Sequence, residues 1–246
     1  MAGLLSLFRK KPEEPRCSAV IVAAGSARRM EGIDKMLAAL GELPVLVHTL
    51  YAFQDCPAVD EVVVVTREDL LVEVGRICKD FALDKVKKVL VGGAERIHSV
   101  QAGLREVDPR AELIAIHDGA RPLVSQEILR NTIARAALTG AAAPGVPVTD
   151  TIKRTEDGQT VETVDRSSLW AVQTPQVFEA GLIRGATQKA LEDGVLLTDD
   201  CGAVERLGMR VTLTEGSREN IKITTPFDLL LGEAILEARA RGEVLL

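Results

Sequence analysis

Four short apolar runs constrain what this 246-residue chain can fold into: Val20–Ala23, Val62–Val65, Val86–Val91 and Leu113–Ile116. Each is rich in aliphatic residues and bounded by polar ones, the pattern of a strand buried on both faces. Between them lie amphipathic segments of helix length, near Pro44–Gln54, Asp69–Asp80 and Glu95–Glu106. Pro44 suits a first helical position. Strands that alternate with helices build right-handed βαβ units, and so a parallel α/β sheet with both faces covered. Ligands of such a sheet bind at the carboxyl ends of its strands.

After Gln126–Thr139, read as a helix, the rhythm changes. Ala141–Val148 reads as another core strand. Thr151–Thr155 and Thr160–Val164 flank Glu156-Asp157-Gly158-Gln159, a hairpin signal, and the hairpin is expected to project as an arm near residues 149–166. Glu179–Glu192 and Asp199–Leu207 read as helices, Val211–Thr214 as a strand and Pro226–Ala240 as a closing helix. Residues 1–16 are expected to be a flexible tail, because Pro12-Glu-Glu-Pro15 reads as a linker. A weak surface anchor is the alternative, since the tail is apolar and then basic, the reverse of a signal peptide. Residues 17–246 are read as one domain, for which 46% hydrophobic residues supply a sufficient core.

The net charge of −6 argues against non-specific nucleic-acid binding, so an anionic ligand needs a local basic cluster. No apolar run reaches the roughly 18 residues of a transmembrane helix, so no stable membrane association is expected. Cys17, Cys56, Cys78 and Cys201 form no CxxC pair and are read as reduced thiols of a cytoplasmic protein.

The first strand ends in Ala23-Ala24-Gly25, followed by Arg28, Arg29 and Lys35. Small residues let backbone N–H groups approach an anion, and the cations neutralise it. The loop matches neither GxxxxGK[ST] nor GxGxxG, and the same residues also fit an exposed basic loop. Gly92-Gly93-Ala94-Glu95-Arg96 opens a helix after another strand, with Ser99 on the Arg96 face; a glycine turn with a solvated Arg is its plain alternative. Asp118, at the end of a buried strand and followed by Gly119-Ala120-Arg121, suits a ribose hydroxyl, a magnesium ion or a turn cap. His117 beside it reads as structural rather than as a general base. Thr151, Arg166 and the Gln173-Thr-Pro-Gln segment offer phosphate-binding groups, and Lys222 precedes the closing helix, where a lone lysine is usually solvated.

In this order the segments resemble the 2-C-methyl-D-erythritol 4-phosphate cytidylyltransferases of the non-mevalonate isoprenoid pathway, over roughly residues 17–238. The resemblance implies a Rossmann-like, three-layer, mostly parallel sheet of the nucleotidyltransferase type with a projecting β-arm. It implies a cytidylyl transfer from CTP, with Mg²⁺ or another divalent cation as cofactor. By the family pattern Ala23, Ala24, Gly25, Gly93, Ala94, Arg96 and Ser99 hold the nucleotide, completed by Asp118, Gly119 and Arg121. Arg29 and Lys35 face the triphosphate. Thr151, Arg166, Thr198 and Lys222 bind the acceptor or the reacting phosphates, with Arg29, Lys35 and Lys222 as catalytic residues. The metal falls to Asp118 or to the CTP phosphates alone. The pattern also implies a homodimer whose arms cross, so that Thr151 and Arg166 serve the neighbour's site.

Three positions depart from the pattern. Ala27 stands where a second glycine is usual, Asp34 where a proline precedes the lysine, and Gly119 where alanine is common. Another polyol-phosphate cytidylyltransferase, such as one using ribitol 5-phosphate, would share the nucleotide-side motifs. A non-catalytic nucleotide-binding protein is the alternative of a different class. A dinucleotide-dependent oxidoreductase is disfavoured by the missing GxGxxG.

Overall fold

A computed structural model describes residues 15–25 and 34–243. The chain runs β1 (Cys17–Ala23), β2 (Ala39–Leu40), β3 (Leu43–Pro44), α1 (Val45–Gln54), β4 (Glu61–Thr66), α2 (Leu71–Asp80), β5 (Val86–Val91), α3 (Arg96–Glu106) and β6 (Leu113–Asp118). It continues through α4 (Gln126–Thr139), β7 (Ala141–Pro147), β8 (Lys153–Glu156), β9 (Gln159–Thr163), β10 (Trp170–Val172) and β11 (Gln176–Glu179). The last elements are α5 (Ala180–Glu192), α6 (Cys201–Arg206), β12 (Thr212–Glu215) and α7 (Pro226–Ala240).

The main sheet has the order β5-β4-β1-β6-β11-β7-β10, with β12 also against β7. Pairs β5–β4, β4–β1, β1–β6 and β12–β7 are parallel. β11 lies antiparallel between β6 and β7, and β10 antiparallel on β7. From β1 the chain winds outward through β4 and β5, then returns to place β6 on β1's other side. That reversal makes a switch point between β1 and β6, where an open α/β sheet leaves a crevice for ligand.

Strand alternation explains the two cores. Ala19, Ile21 and Ala23 point to one face, with Val62 and Val64, and meet Leu46, Leu50 and Phe53 of α1 and Leu129 and Ile133 of α4. Val20 and Val22 point to the other, with Val63, Val65 and Ile116, and meet Val100 and Leu104 of α3 and Ile183 of α5. This gives the three-layer, mostly parallel sheet that the sequence implies, with β10 and β11 added antiparallel. A smaller cluster of Leu40, Val45, Leu123, Ile223 and Ile235 seats α7.

Three readings need adjustment. β5 is not buried on both faces: it is the sheet edge, with Lys87 and Lys88 exposed. Lysines on an edge strand discourage pairing with other chains. β10 and β11 did not stand out as strands, since they are only 3 and 4 residues long and their apolar stretches, Trp170–Val172 and Val177-Phe178, are too short to show a period. At the amino end, the carbonyl of Arg16 accepts from the Glu112 and Leu113 amides at 2.9 and 3.0 Å, so this residue is docked on the sheet. Residues 1–14 of the expected tail lie outside the described residues.

The β8–β9 hairpin turns on Asp157 and Gly158, whose φ values of 48° and 76° are both left-handed. That is the geometry of a two-residue primed turn, which Asp-Gly adopts readily. Every residue of the two strands is exposed.

The approach of α3 to the sheet depends on Gly103. A Cβ there would lie 2.4 Å from Val20 Cγ1 and 3.1 Å from Val65 Cγ2. Gly103→Ala should therefore destabilise the chain. Overpacking costs about 1–3 kcal/mol, against a gain of about 1 kcal/mol in helix propensity. Urea denaturation checks this, and a stabilised variant would show that α3 can move away freely.

Candidate active site

Where β1 and β6 end side by side, a cavity of about 330 Å³ opens. Its walls are Ala24 and Gly25 from the loop after β1 and Gly93 and Ala94 from the β5–α3 turn. Gly92 and Gly93 have no room for a side chain. A Cβ on Gly92 would lie 2.5 Å from Ser99 Oγ and 2.6 Å from Ala24 Cβ, and one on Gly93 would lie 2.3 Å from His98 Cβ. None of these distances is tolerable, so the backbone of this turn packs directly against the first turn of α3 and against Ala24. Ser99 also lines the cavity, and its hydroxyl accepts from the Gly93 amide at 3.2 Å.

Lys35, Arg96 and Lys222 bring positive charge to this cavity. The Lys35 ammonium lies 3.7 Å from where a Gly25 Cβ would stand. Asp118 organises much of the rest. Its Oδ2 is 2.8 Å from Lys222 Nζ and 3.6 Å from Arg121 Nε, and its Oδ1 is 3.6 Å from Arg96 Nε. Burial alone would push the Asp118 carboxyl up, but Lys222, Arg96 and Arg121 outweigh it and hold the group well below the carboxylate range.

Arg96 is shared. Its Nη1 and Nη2 donate to Asp200 Oδ1 and Oδ2 at 2.9 and 2.7 Å, a bidentate pair. Burial opposes the guanidinium charge, yet Asp200 and Asp118 raise its pKa further. Gln176 sets this partner in place: its Oε1 accepts from the Asp200 and Cys201 amides, and its Nε2 donates to Asp199. Asp200 and Gln176 were missed as individual positioning residues. The signal was present, an Asp199-Asp200 pair and a Gln173-Thr-Pro-Gln motif, but sequence spacing does not show that they meet Arg96.

His117 is structural, as expected. It is fully buried, its Nε2 is 3.1 Å from the Arg121 carbonyl, and its Nδ1 is 3.0 Å from Thr174 Oγ1. Thr174 Oγ1 also accepts from the Asp118 amide at 3.1 Å. One consistent assignment has Nε2–H donating to Arg121 and Nδ1 accepting from the threonine hydroxyl. The Thr174–Pro175 peptide is cis. Asn220 fastens the closing segment to this loop, its Nδ2 donating to the Thr174 carbonyl at 3.0 Å.

Of the other site residues read from the sequence, Ala23 is buried at the end of β1 and Gly119 donates its amide to the Val22 carbonyl. A Cβ on Gly119 would sit 3.0 Å from Ala23 Cβ, so alanine there needs a small backbone adjustment. Arg121 Nη1 donates to the Asn220 carbonyl at 2.7 Å. These three support the cavity from behind rather than lining it. Thr198 is exposed in the loop before α6, and Thr151 is exposed beside the arm. Arg166 donates to the Thr149 carbonyl at the arm's base, where Arg218 also donates to Thr149 Oγ1. Arg29 and Ala27 lie outside the described residues.

Among the described residues no group of three or more His, Cys, Asp or Glu side chains is placed to hold a metal ion. Glu95 and Asp118 are the acidic residues that line the cavity, and Lys222 already pairs with Asp118. Asp118 also faces Arg96 and Arg121, so a hard cation here would have at most this one buried carboxylate and would need its other oxygens from a bound anion.

A cavity of about 330 Å³ at the switch point of an open, mostly parallel sheet, lined by two lysines and an arginine, puts the chain in the class of α/β proteins that take an anionic ligand at their strand ends. The comparison with known families is more specific. The model of the family 2-C-methyl-D-erythritol 4-phosphate cytidylyltransferase matches residues 17–238, and the chain belongs to this family. A cytidylyltransferase of that name from Caldanaerobacter subterraneus is 48% identical over 222 residues, covering 89% of this chain and 98% of the relative. One from Halalkalibacterium halodurans is 44% identical, covering 91% and 98%. The crystal structure of the 4-diphosphocytidyl-2C-methyl-D-erythritol synthase of Anaerococcus prevotii superposes with a TM-score of 0.79 at 32% identity, over 91% of this chain and 97% of that one. The Thermus thermophilus cytidylyltransferase superposes at 0.75 with 33% identity, over 90% and 99%.

The burial of His117 has a consequence for stability. Desolvation lowers its pKa from 6.5 to about 4, so the folded chain keeps it neutral while the unfolded chain protonates it near pH 6.5. Stability from this site is complete above about pH 6.5 and falls as pH drops towards 4, by about 3 kcal/mol at most. Urea denaturation across this window should show the decline. His117→Gln should flatten it, and an unchanged slope in the variant would assign the proton uptake elsewhere.

Proposed function

We propose that the chain transfers a cytidylyl group from CTP to 2-C-methyl-D-erythritol 4-phosphate in isoprenoid precursor synthesis. The products are 4-diphosphocytidyl-2-C-methyl-D-erythritol and pyrophosphate. The observation that carries this reading is the convergence of Lys35, Arg96 and Lys222 on one cavity walled by glycine and alanine backbone. Ala23, Ala24, Gly25, Gly93, Ala94, Arg96 and Ser99 form the nucleotide side, with Asp118, Gly119 and Arg121 behind it. Lys35 and Arg29 serve the triphosphate. Lys222, Thr198 and, from a neighbouring subunit, Thr151 and Arg166 serve the acceptor. The working unit in this reading is a cytoplasmic homodimer with crossed arms. Exposed Ile152, Val161, Trp170 and Val172 on and beside the arm support it.

In this reading an acceptor-phosphate oxygen attacks the α-phosphorus in line. The new O–P bond forms as the bond from the α-phosphorus to the bridging oxygen breaks, and the electron pair leaves on pyrophosphate. A phosphate monoester is mostly a dianion near neutral pH, with a second pKa near 6. No side chain has to remove a proton. The cavity agrees with this. Both ring nitrogens of His117 are engaged, and Asp118 is too well stabilised as a carboxylate to be a useful base. The chain's task is to hold two polyanions together and to neutralise the charge that grows on the leaving group. Positioning can supply roughly 7–11 kcal/mol of the barrier. A divalent cation, when bound beside Asp118 and the phosphates, supplies further neutralisation of the pyrophosphate.

Pyrophosphate release should require CTP and methylerythritol phosphate together, with little turnover of ribitol 5-phosphate in a parallel assay. Preference for ribitol 5-phosphate would overturn the acceptor assignment. Lys35→Ala should lower turnover on the order of 10²–10³-fold, as loss of one aimed electrostatic contact does. CTP binding is measured separately by calorimetry, and a near-normal rate would remove Lys35 from the mechanism. For the arm, mixing Arg166→Ala with Lys35→Ala subunits should restore part of the wild-type rate, because a hybrid dimer carries one intact site. No recovery after proven subunit exchange would contradict crossed arms.

A further inference from the structure

We infer that Asp34 and Arg67 are positioning residues for Lys35: a salt bridge from the end of β4 fixes the turn that delivers its ammonium to the cavity. The inference rests on the proposed role of Lys35. Neither Asp34 nor Arg67 lines the cavity.

The turn is wound around Asp34. Its Oδ1 accepts from the Met36 amide at 2.8 Å, and its carbonyl accepts from Leu37 and Ala38 at 3.1 and 2.8 Å. Met36 is buried, and its carbonyl accepts from Leu46 at 3.0 Å. The backbone on either side of Lys35 is therefore held, by a carboxylate before it and by the core after it. The free oxygen of the carboxylate, Oδ2, is 2.5 Å from Arg67 Nη1. Arg67 directly follows β4 and is itself oriented by Asp69, through two hydrogen bonds of 2.9 and 2.7 Å.

The Arg67 and Asp34 side chains are 25% and 15% exposed, so the bridge is shielded more than a surface pair. β4 is the neighbour of β1, and β1 ends at the cavity wall. The bridge thus refers Lys35 to the same rigid sheet that places Gly25. A proline at position 34 would fix one backbone angle but tie nothing to β4. Loss of Arg67 would also leave the Asp34 carboxylate, still bonded to the Met36 amide, without its cation beside the lysine, where its charge opposes a triphosphate. Displacement of a reacting group by about 1 Å can lower a rate 10²-fold.

The test is a set of full-length variants, Arg67→Ala, Arg67→Lys and Asp34→Asn, each made alone and with Lys35→Ala. Arg67→Ala should lower kcat/KM for CTP about 10- to 10²-fold and leave KM for the acceptor unchanged. Arg67→Lys should recover part of the loss. In the Lys35→Ala background the same change should cost less than about twofold, because groups acting as a unit are not additive. An equal loss in both backgrounds, or no loss in either, overturns the inference. If Lys35→Ala itself keeps a normal rate, the proposed role of Lys35 falls and this inference falls with it; an additive cycle on an impaired Lys35→Ala removes the inference alone. Should Arg67→Ala fail to fold by circular dichroism, Asp34→Asn carries the same cycle, since it keeps an oxygen for the Met36 amide.

Discussion

A carboxylate taken out of water must be paired, and Asp118 meets that requirement with cations from three separate segments. Lys222 comes from the stretch before α7, Arg96 from the start of α3, and Arg121 from the turn just beyond β6. The acid sits on a central strand, so its position is set by the two cores. The cations are then set by the acid. This is how a rigid sheet transmits its geometry to loops that have little core of their own. Asp200 repeats the device one layer out, and the result is a cavity whose positive groups already have defined directions before any ligand arrives. Such pre-organisation is what electrostatic stabilisation of a transition state requires.

The parts legible in the sequence were those whose signal is local and strong. Residues 17–23 form an unbroken buried strand because aliphatic side chains are needed on both faces, and α4 and α7 carry conventional start signals at Ser125 and Pro226. The Asp-Gly turn of the arm needs no tertiary context to be read. β10 and β11 were not visible because runs as short as Trp170–Val172 and Val177-Phe178 declare themselves as strands only through pairing with β7 and β6. The buried look of β5 misled for a related reason: an edge position is a property of the whole sheet.

The site divides in the same way. Glycines 92 and 93, Arg96 and Asp118 sit at strand ends where a ligand is expected, Lys222 reads as a solvated lysine until the family resemblance is added, and all of them share one end of the sheet. Asp200 and Gln176 bear on the site only through a contact spanning roughly a hundred residues and another of about twenty-five, which spacing along the chain cannot express. Arg67 and Asp34 are a further case. Each looks like an ordinary surface charge until the strand order puts β4 beside β1.

The reversed direction of β11 has an effect on what the sheet can build. Parallel strands contribute to a site only with the loops that follow them. A strand running the opposite way contributes with the loop that comes before it. Gln176 pairs with Ile116 near the finish of β6, so Gln173 and Thr174 arrive where β1 and β6 terminate. One inverted strand therefore lets two unrelated stretches of chain, one leaving the sheet and one entering it, be shaped independently around a shared ligand.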